Sequence, residues 1–286
     1  PKDKWEKKIY FDYLWLGINK GAQELKGLNI EISPFVCDNE EEQLTQLKEI
    51  ADKGPNEYGG VITISFTRAS EVLMQFQRML AKDMRVLVID DHIEIPEGLI
   101  SIPPREIQVG KVAAELAGLI TQGNGRILVS CGRKDSKIHE GRLESFCNYI
   151  KENKPELIIE LVTGYTRNMD HRGELYKNAC EALDKYSDIC LIYALTSHDN
   201  RAFVEALEKH GKNKKVPIIG TDLNEETLEF LKQKRMSAVI DQNPYDKGYM
   251  AFKIMVDCLI KNMSVPDVIP CRIDIALENN ADLCAD

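Results

Sequence analysis

Apolar positions along this chain follow two alternating rhythms, and the alternation predicts its elements. Over residues 9–26 the apolar side chains Ile9, Leu14, Leu16, Ile18, Ala22 and Leu25 share one broad face and Gly27 closes the run, which predicts a helix. A strand is expected over 29–36, an acidic helix over 40–53, a β-branched strand over 60–65, a helix over 69–82 and a continuous apolar strand over 85–90. Residues 93–105 carry Pro96, Pro103 and Pro104 with no helical period, so they read as a connector. The rhythm then resumes, with helices over 107–121, 138–152, 173–186 and 200–210 alternating with strands over 126–130, 157–163, 189–195 and 216–220. A further helix, a strand over 237–240 and a long helix over 244–263 follow, and the tail holds a short strand over 271–277.

Helices alternating with strands that are apolar throughout imply a parallel sheet covered on both faces. The expected class is α/β, as two similar layers in succession with a crossover near 103–106. A layer of this kind normally opens with a strand, whereas this chain opens with a charged loop and a helix, so the first strand is expected upstream of Pro1. In open α/β sheets ligands bind at the carboxyl ends of strands. Two such ends are polar here: strand 216–220 runs into Asp222, and strand 237–240 into Asp241 and Gln242. Strand 85–90 ends on Asp90 and Asp91, suited to ligand hydroxyls or to capping the next turn.

At 286 residues the chain has length for two domains, and 43% hydrophobic with 29% charged residues is a globular composition. A net charge of -9 argues against a grip on nucleic acid by this chain itself, because phosphate binding needs a concentrated basic surface. Eight cysteines without a CxxC pair point to reduced thiols in a cytoplasmic protein. The opening PKDKWEKK does not resemble a signal peptide, and no apolar run of about twenty residues exists to span a membrane. Catalytic signatures are absent: Gly123-Asn124-Gly125 precedes a strand instead of following one, and no GxSxG, HExxH or GxxxxGK[ST] occurs. The five histidines show no metal-ligand spacing, with surface or helix-end positions expected for His139, His171 and His210, so neither metal nor cofactor is expected. The charged run from Arg133 to Lys137 reads as a solvated loop.

Three segments carry a resemblance. The first, GRILVSCGRKDSKIHEGRLESFCNYIKENKPEL, is a strand, loop and helix with Arg142, Leu143, Ser145 and Phe146 in the helix. The second, IIGTDLNEET, is an apolar strand ending in Gly-x-Asp, and the third, AVIDQNPYDKGYMAF, holds Gln-x-Pro-aromatic-x-x-Gly. In this order and spacing they resemble the effector-binding domain of LacI/GalR-type transcriptional regulators, which shares its fold with periplasmic sugar-binding proteins of the ribose-binding class. The resemblance implies the periplasmic-binding-protein type 1 fold: two Rossmann-like lobes with parallel sheets, joined by three crossovers, with a ligand cleft between them. The implied lobes are 1–104 with 242–266, and 105–241 with 267–286.

The resemblance also assigns roles. Arg142 would donate a fork of hydrogen bonds to sugar hydroxyls or a carboxylate. Asp222 and Gln242 would accept from and donate to ligand hydroxyls, His198 would add a polar contact, and Tyr10 and Phe11 would stack on an apolar sugar face. Asp91 is a further candidate. The bland alternatives are an ion pair across the cleft for Arg142 and ordinary helix packing for Tyr10. Where the family often carries an aspartate five residues before the glycine of the crossover helix, this chain has Arg105 before Gly110, which points to an anionic or otherwise unusual effector. The implied function is the effector-sensing domain of a LacI-type regulator: non-catalytic, cytoplasmic and homodimeric, binding a sugar-like molecule and reaching DNA only through an N-terminal helix-turn-helix absent from this chain. The alternative is an exported solute-binding protein or the extracellular sensor of a membrane receptor, with an enzyme of the Rossmann class third.

Overall fold

The computed structural model describes residues 8–37, 39–64, 69–90, 96–133, 136–164, 171–212 and 215–284. The chain divides into two compact units, residues 1–104 with 244–271 and residues 105–243 with 272–286. The two later passages between units thus fall at 243/244 and 271/272, slightly beyond the boundaries expected from the resemblance. Hydrogen bonds account for the difference. Gln242 is held by Arg142 and the Asn243 amide donates to the Arg272 carbonyl, keeping both residues with the second unit. The Ser101 N–H donates to the Asp267 carbonyl and the Ile269 N–H to the Ser101 carbonyl, which ties residues 267–271 to the first unit.

In the first unit β1 (Gly60–Thr63), β2 (Arg85–Ile89) and β3 (Leu99–Ile102) lie in that order in a parallel sheet. Its helices are α1 (Lys8–Glu24), α2 (Glu40–Lys53), α3 (Ala69–Leu80) and α9 (Pro244–Ile260), the last supplied by the returning chain. Pleating divides β2 between two cores. Leu87 and Ile89 pack with Leu14, Ile18, Phe252 and Met255 of α1 and α9, while Val86 and Val88 pack with Leu47, Ile50, Phe76 and Met79 of α2 and α3. Each such fully buried aliphatic or aromatic side chain contributes about 1.5–3 kcal/mol. Helices α1 and α9 cross on glycines: a Cβ on Gly17 would meet the Tyr245 carbonyl oxygen at 2.0 Å, and one on Gly248 the Leu14 carbonyl oxygen at 1.9 Å.

Two expectations for this unit are corrected. Residues 29–36, expected as a strand, carry no ladder pairing. Their apolar side chains gain little burial, since Ile30, Phe35 and Val36 stay exposed and Pro34 has no N–H to donate. A strand is stabilised by its neighbour, and alternation of side chains does not supply one. Conversely, β3 lies within residues expected to be only a connector. All four of its residues are buried and it pairs with β2 from Val86 opposite Leu99 to Ile89 opposite Ile102. Ser101 interrupts the apolar run, and four residues between prolines leave no period to read.

The second unit holds β4 (Gly125–Ser130), β5 (Leu157–Val162), β6 (Ile189–Tyr193), β7 (Ile218–Thr221), β8 (Ala238–Asp241) and β9 (Asp274–Ala276), in the order β5-β4-β6-β7-β8-β9. All pairs are parallel except the edge pair of β8 with β9. Helices α4 (Glu106–Thr121) and α5 (Lys137–Asn153) cover one face, with Val109, Ala113, Phe146 and Ile150 on Ile127, Val129 and Leu191. Helices α6 (His171–Lys185), α7 (Asn200–Lys209) and α8 (Glu225–Lys232) cover the other, with Leu175, Phe203 and Phe230 in the core that holds Leu128, Ile192 and Val239. A short helix α10 (Ala281–Cys284) follows β9. Gly110 lets α4 approach α5 closely, since a Cβ there would stand 2.3 Å from the Arg142 carbonyl oxygen.

Candidate functional site

In the second unit the polar ends of β7 and β8 converge on one arginine. Asp222 follows β7 with φ +64, a left-handed backbone that a short polar side chain tolerates. Its N–H donates to the Ile240 carbonyl at 2.9 Å and its carbonyl accepts the Thr227 hydroxyl at 3.1 Å. Asn224 caps α8, its side-chain oxygen accepting the Glu226 and Thr227 N–H groups, both at 3.0 Å. Asp241 completes the clamp by accepting the Leu223 N–H at 3.0 Å. The turn that carries Asp222 is therefore held from both sides.

Gln242 bridges two charges. Its Nε2 donates to Asp222 Oδ1 at 2.7 Å and its Oε1 accepts Arg142 Nη2 at 2.9 Å. Arg142 Nη1 donates to the Leu195 carbonyl at 2.6 Å. Arg142 is only 2% exposed, yet among the described residues its Nε has no acceptor. A buried donor left unmade costs about 1–3 kcal/mol, so this N–H is chemically poised for an acceptor from outside the chain. Asp222 and Gln242 are also buried. The row Arg142, Gln242, Asp222 alternates donors with acceptors and balances one positive against one negative charge. A hydroxyl group, which both donates and accepts, matches such a row.

Neighbouring groups fix the walls of this row. Ser130 at the end of β4 donates to Asp199 Oδ2 at 2.6 Å and accepts the Leu195 N–H at 2.8 Å, and Asp199 Oδ2 also accepts the Thr196 N–H at 3.0 Å. Tyr193 stacks on Phe146 with centroids 4.8 Å apart, and burial pushes its hydroxyl up to about 12, so it stays protonated. His139 is half-buried and accepts the Arg133 N–H on Nδ1 at 2.9 Å. Burial, then the Arg142 guanidinium, push its imidazole down to about 4, which keeps it neutral beside that cation. His139 thus lies at the helix end expected for it, in the first turn of α5, but in a desolvated setting. His198 stands half-buried in the turn Ser197–Asp199 after β6 and acts on the titration of His139.

The first unit has its own polar cluster at the end of β2. Asp90 has φ +51, and its N–H donates to the Ile102 carbonyl at 2.9 Å. Lys247 of α9 donates to Asp90 Oδ1 at 2.7 Å and to the Tyr10 hydroxyl at 3.1 Å, while that hydroxyl donates to Asp90 Oδ2. The Tyr10 hydroxyl is thereby committed to a carboxylate, a use that stacking on a sugar does not require. The Tyr10 and Phe11 rings meet edge to face at 5.9 Å, and Phe11 is 42% exposed. Asp91 lies outside the described residues.

Arg142, Asp222 and Gln242 are thus brought together, and Tyr10 is joined by two residues that no motif assigns, Asp90 and Lys247. For Lys247 a signal existed in the sequence. The buried positions Pro244, Lys247, Gly248, Ala251, Phe252 and Met255 follow helical spacing, and a lysine stands in that apolar row. Among the described residues no cluster of His, Cys, Asp or Glu is placed to hold a metal ion, and no helix is long and apolar enough to cross a membrane.

Comparison with known proteins follows the same lines. A family model described as a periplasmic binding protein domain matches residues 4–262. The D-allose-binding periplasmic protein of Escherichia coli (strain K12) is 24% identical over 263 residues, which are 88% of this chain and 82% of that protein. The structure of an ABC transporter periplasmic solute binding protein from Actinobacillus succinogenes 130z with bound D-allose aligns with TM-score 0.82 and 16% identity, over 96% of this chain and 95% of that one. A protein provisionally assigned as a LacI transcriptional regulator from Bacteroides fragilis aligns with TM-score 0.79 and 19% identity, over 96% and 94% of the two chains. At these identities the structural likenesses establish the fold.

Proposed function

This chain belongs to the periplasmic binding protein domain family, and from that premise we propose that it is a non-catalytic binding protein for a neutral sugar, working as an exported solute-binding protein or as the sensor of a membrane receptor. The observation that carries this reading is the row of Arg142, Gln242 and Asp222, in which a buried guanidinium N–H lacks an acceptor. In the first unit Asp90 is the corresponding acceptor at a strand end. Arg142 is balanced by Asp222 and Lys247 by Asp90, which favours an uncharged polyol over the anionic ligand that Arg105 suggested. The D-allose-binding relatives support the same ligand class.

The test is calorimetric titration of the whole chain with D-allose, D-glucose, D-galactose and a hexuronate. A neutral hexose is expected to bind and the hexuronate to bind more weakly. Asp222→Asn is expected to weaken the hexose by roughly 10- to 100-fold, the range for a hydrogen bond to a charged group. Absence of hexose binding, or unchanged affinity in the variant, would overturn the reading.

The likeness to the provisionally assigned regulator supports a second reading, the effector-sensing domain of a LacI-type repressor acting as a cytoplasmic homodimer. Fractionation of the producing cells separates the two. An envelope location favours uptake or reception, and a cytoplasmic one with operator binding by the whole protein favours regulation.

A further inference from the structure

We propose that Lys247 and Tyr10 are positioning residues which hold the Asp90 carboxylate as the ligand acceptor of the first unit, an inference that rests on the sugar-binding reading above. Lys247 is fully buried, with 0% of its side chain exposed. Removing an ammonium from water costs several kcal/mol even after relaxation, and well-packed apolar residues in place of a buried ion pair are often at least as stable. The location adds a second cost. Lys247 lies in the first turn of the 17-residue helix α9, where the positive end of the helix dipole disfavours a cation. Methionine or leucine would fill the same row beside Ala251 and Phe252 at neither cost. Packing therefore does not explain the charge.

Its geometry does. Lys247 takes Asp90 Oδ1, Tyr10 takes Oδ2, and Lys247 also donates to the Tyr10 oxygen, so three groups close a ring of hydrogen bonds. Among the described residues each carboxylate oxygen accepts one protein donor, which leaves it a further lone-pair site. The Asp90 side chain is 10% exposed whereas that of Lys247 is sealed, so of this ion pair the carboxylate is the partner that solvent reaches. The backbone is held too, by the Asp90 N–H bond to Ile102 in the left-handed conformation. With side chain and backbone both fixed, the carboxylate need not be ordered when a ligand arrives, and affinity gains by that saving.

The experiment is a double-mutant cycle read by calorimetric titration of the whole chain with D-allose, D-glucose and D-galactose, with circular dichroism as the check of folding. Lys247→Met and Tyr10→Phe are each expected to weaken the bound hexose about tenfold, the loss attached to one charge-assisted hydrogen bond. Because both act through Asp90, Lys247→Met combined with Asp90→Asn is expected to bind as Asp90→Asn alone does, within about twofold. A packing role would leave the two losses additive. Should Lys247→Met fail to fold, Tyr10→Phe with the same Asp90→Asn partner carries the cycle. If Asp222→Asn weakens the hexose while Lys247→Met and Tyr10→Phe bind like the parent, or if the losses add, this inference falls and the sugar-binding reading stands. If the parent binds none of the three hexoses, both fall.

Discussion

His139, three residues before Arg142, shows how a site residue can be defined by its surroundings. Its ordinary value is 6.5, and burial with the adjacent guanidinium brings it to about 4, against an opposing pull from Asp199. As pH falls below 6.5 the unfolded chain takes up the proton first, so the folded chain binds fewer protons between about 6.5 and 4 and loses stability across that window. Over the whole window the loss approaches about 3 kcal/mol. In urea titrations, His139→Gln is therefore expected to lose less stability than the parent between pH 6.5 and 4.5, by up to about 1.4 kcal/mol per pH unit, the limit for one proton; parallel pH profiles would contradict it. Nothing in the spacing of the five histidines marks this one, because desolvation is a property of the fold around it. Arg142, Asp222 and Gln242 differ: Asp222 and Gln242 follow strand ends that pattern predicts, Arg142 is singled out by the resemblance, and the structure joins the three by hydrogen bonds. Asp90 is directed to Lys247 from a left-handed backbone position, which the sequence does not announce.

Helices α1 and α9 meet where two glycines remove the side chains; Gly248 is the glycine of the Gln-x-Pro-aromatic-x-x-Gly segment, whereas no motif marks Gly17. Adding a methyl group at Gly248 drives it into the backbone of Leu14, which no rotamer change relieves. Gly248→Ala should thus lower the stability of the first unit by about 1–3 kcal/mol, with Gly17→Ala similar, and the double variant should cost less than the sum because both part the same helices. Thermal unfolding of the three variants measures this; a neutral Gly248→Ala would show that the helices are not in contact there. The strands show the opposite limits of pattern. Residues 29–36 alternate as a strand should and join no sheet, whereas β3 is too short and too interrupted to announce itself and is fully paired. In both cases the neighbouring strand decides: β3 has β2 beside it, and residues 29–36 have none among the described residues.

For the whole chain, ligand binding to the folded state alone raises stability by mass action. A hexose at 100 times its dissociation constant should add about 2.7 kcal/mol, an upward shift of several degrees in the melting temperature of a chain this size. The shift should grow with the logarithm of hexose concentration and shrink in Asp222→Asn at equal concentration. A melting temperature independent of hexose would contradict the assignment of the ligand. The class of architecture was legible beforehand, because helical and strand periods are local and a parallel sheet with both faces covered leaves unbroken apolar runs such as β6 and β7. The strand-end carboxylate Asp222 was legible for the same reason, since a strand that stops must deliver its next residue to the edge of the sheet. What the tertiary structure decided is how charges are paired. Lys247 meets Asp90 at a separation of 157 in residue number and Arg142 meets Gln242 at a separation of 100. Those separations along the chain are invisible to any periodicity, and only the packing of α9 on β2 in the first unit and the reach of Arg142 from α5 to Gln242 in the second turn separate polar residues into bonded clusters.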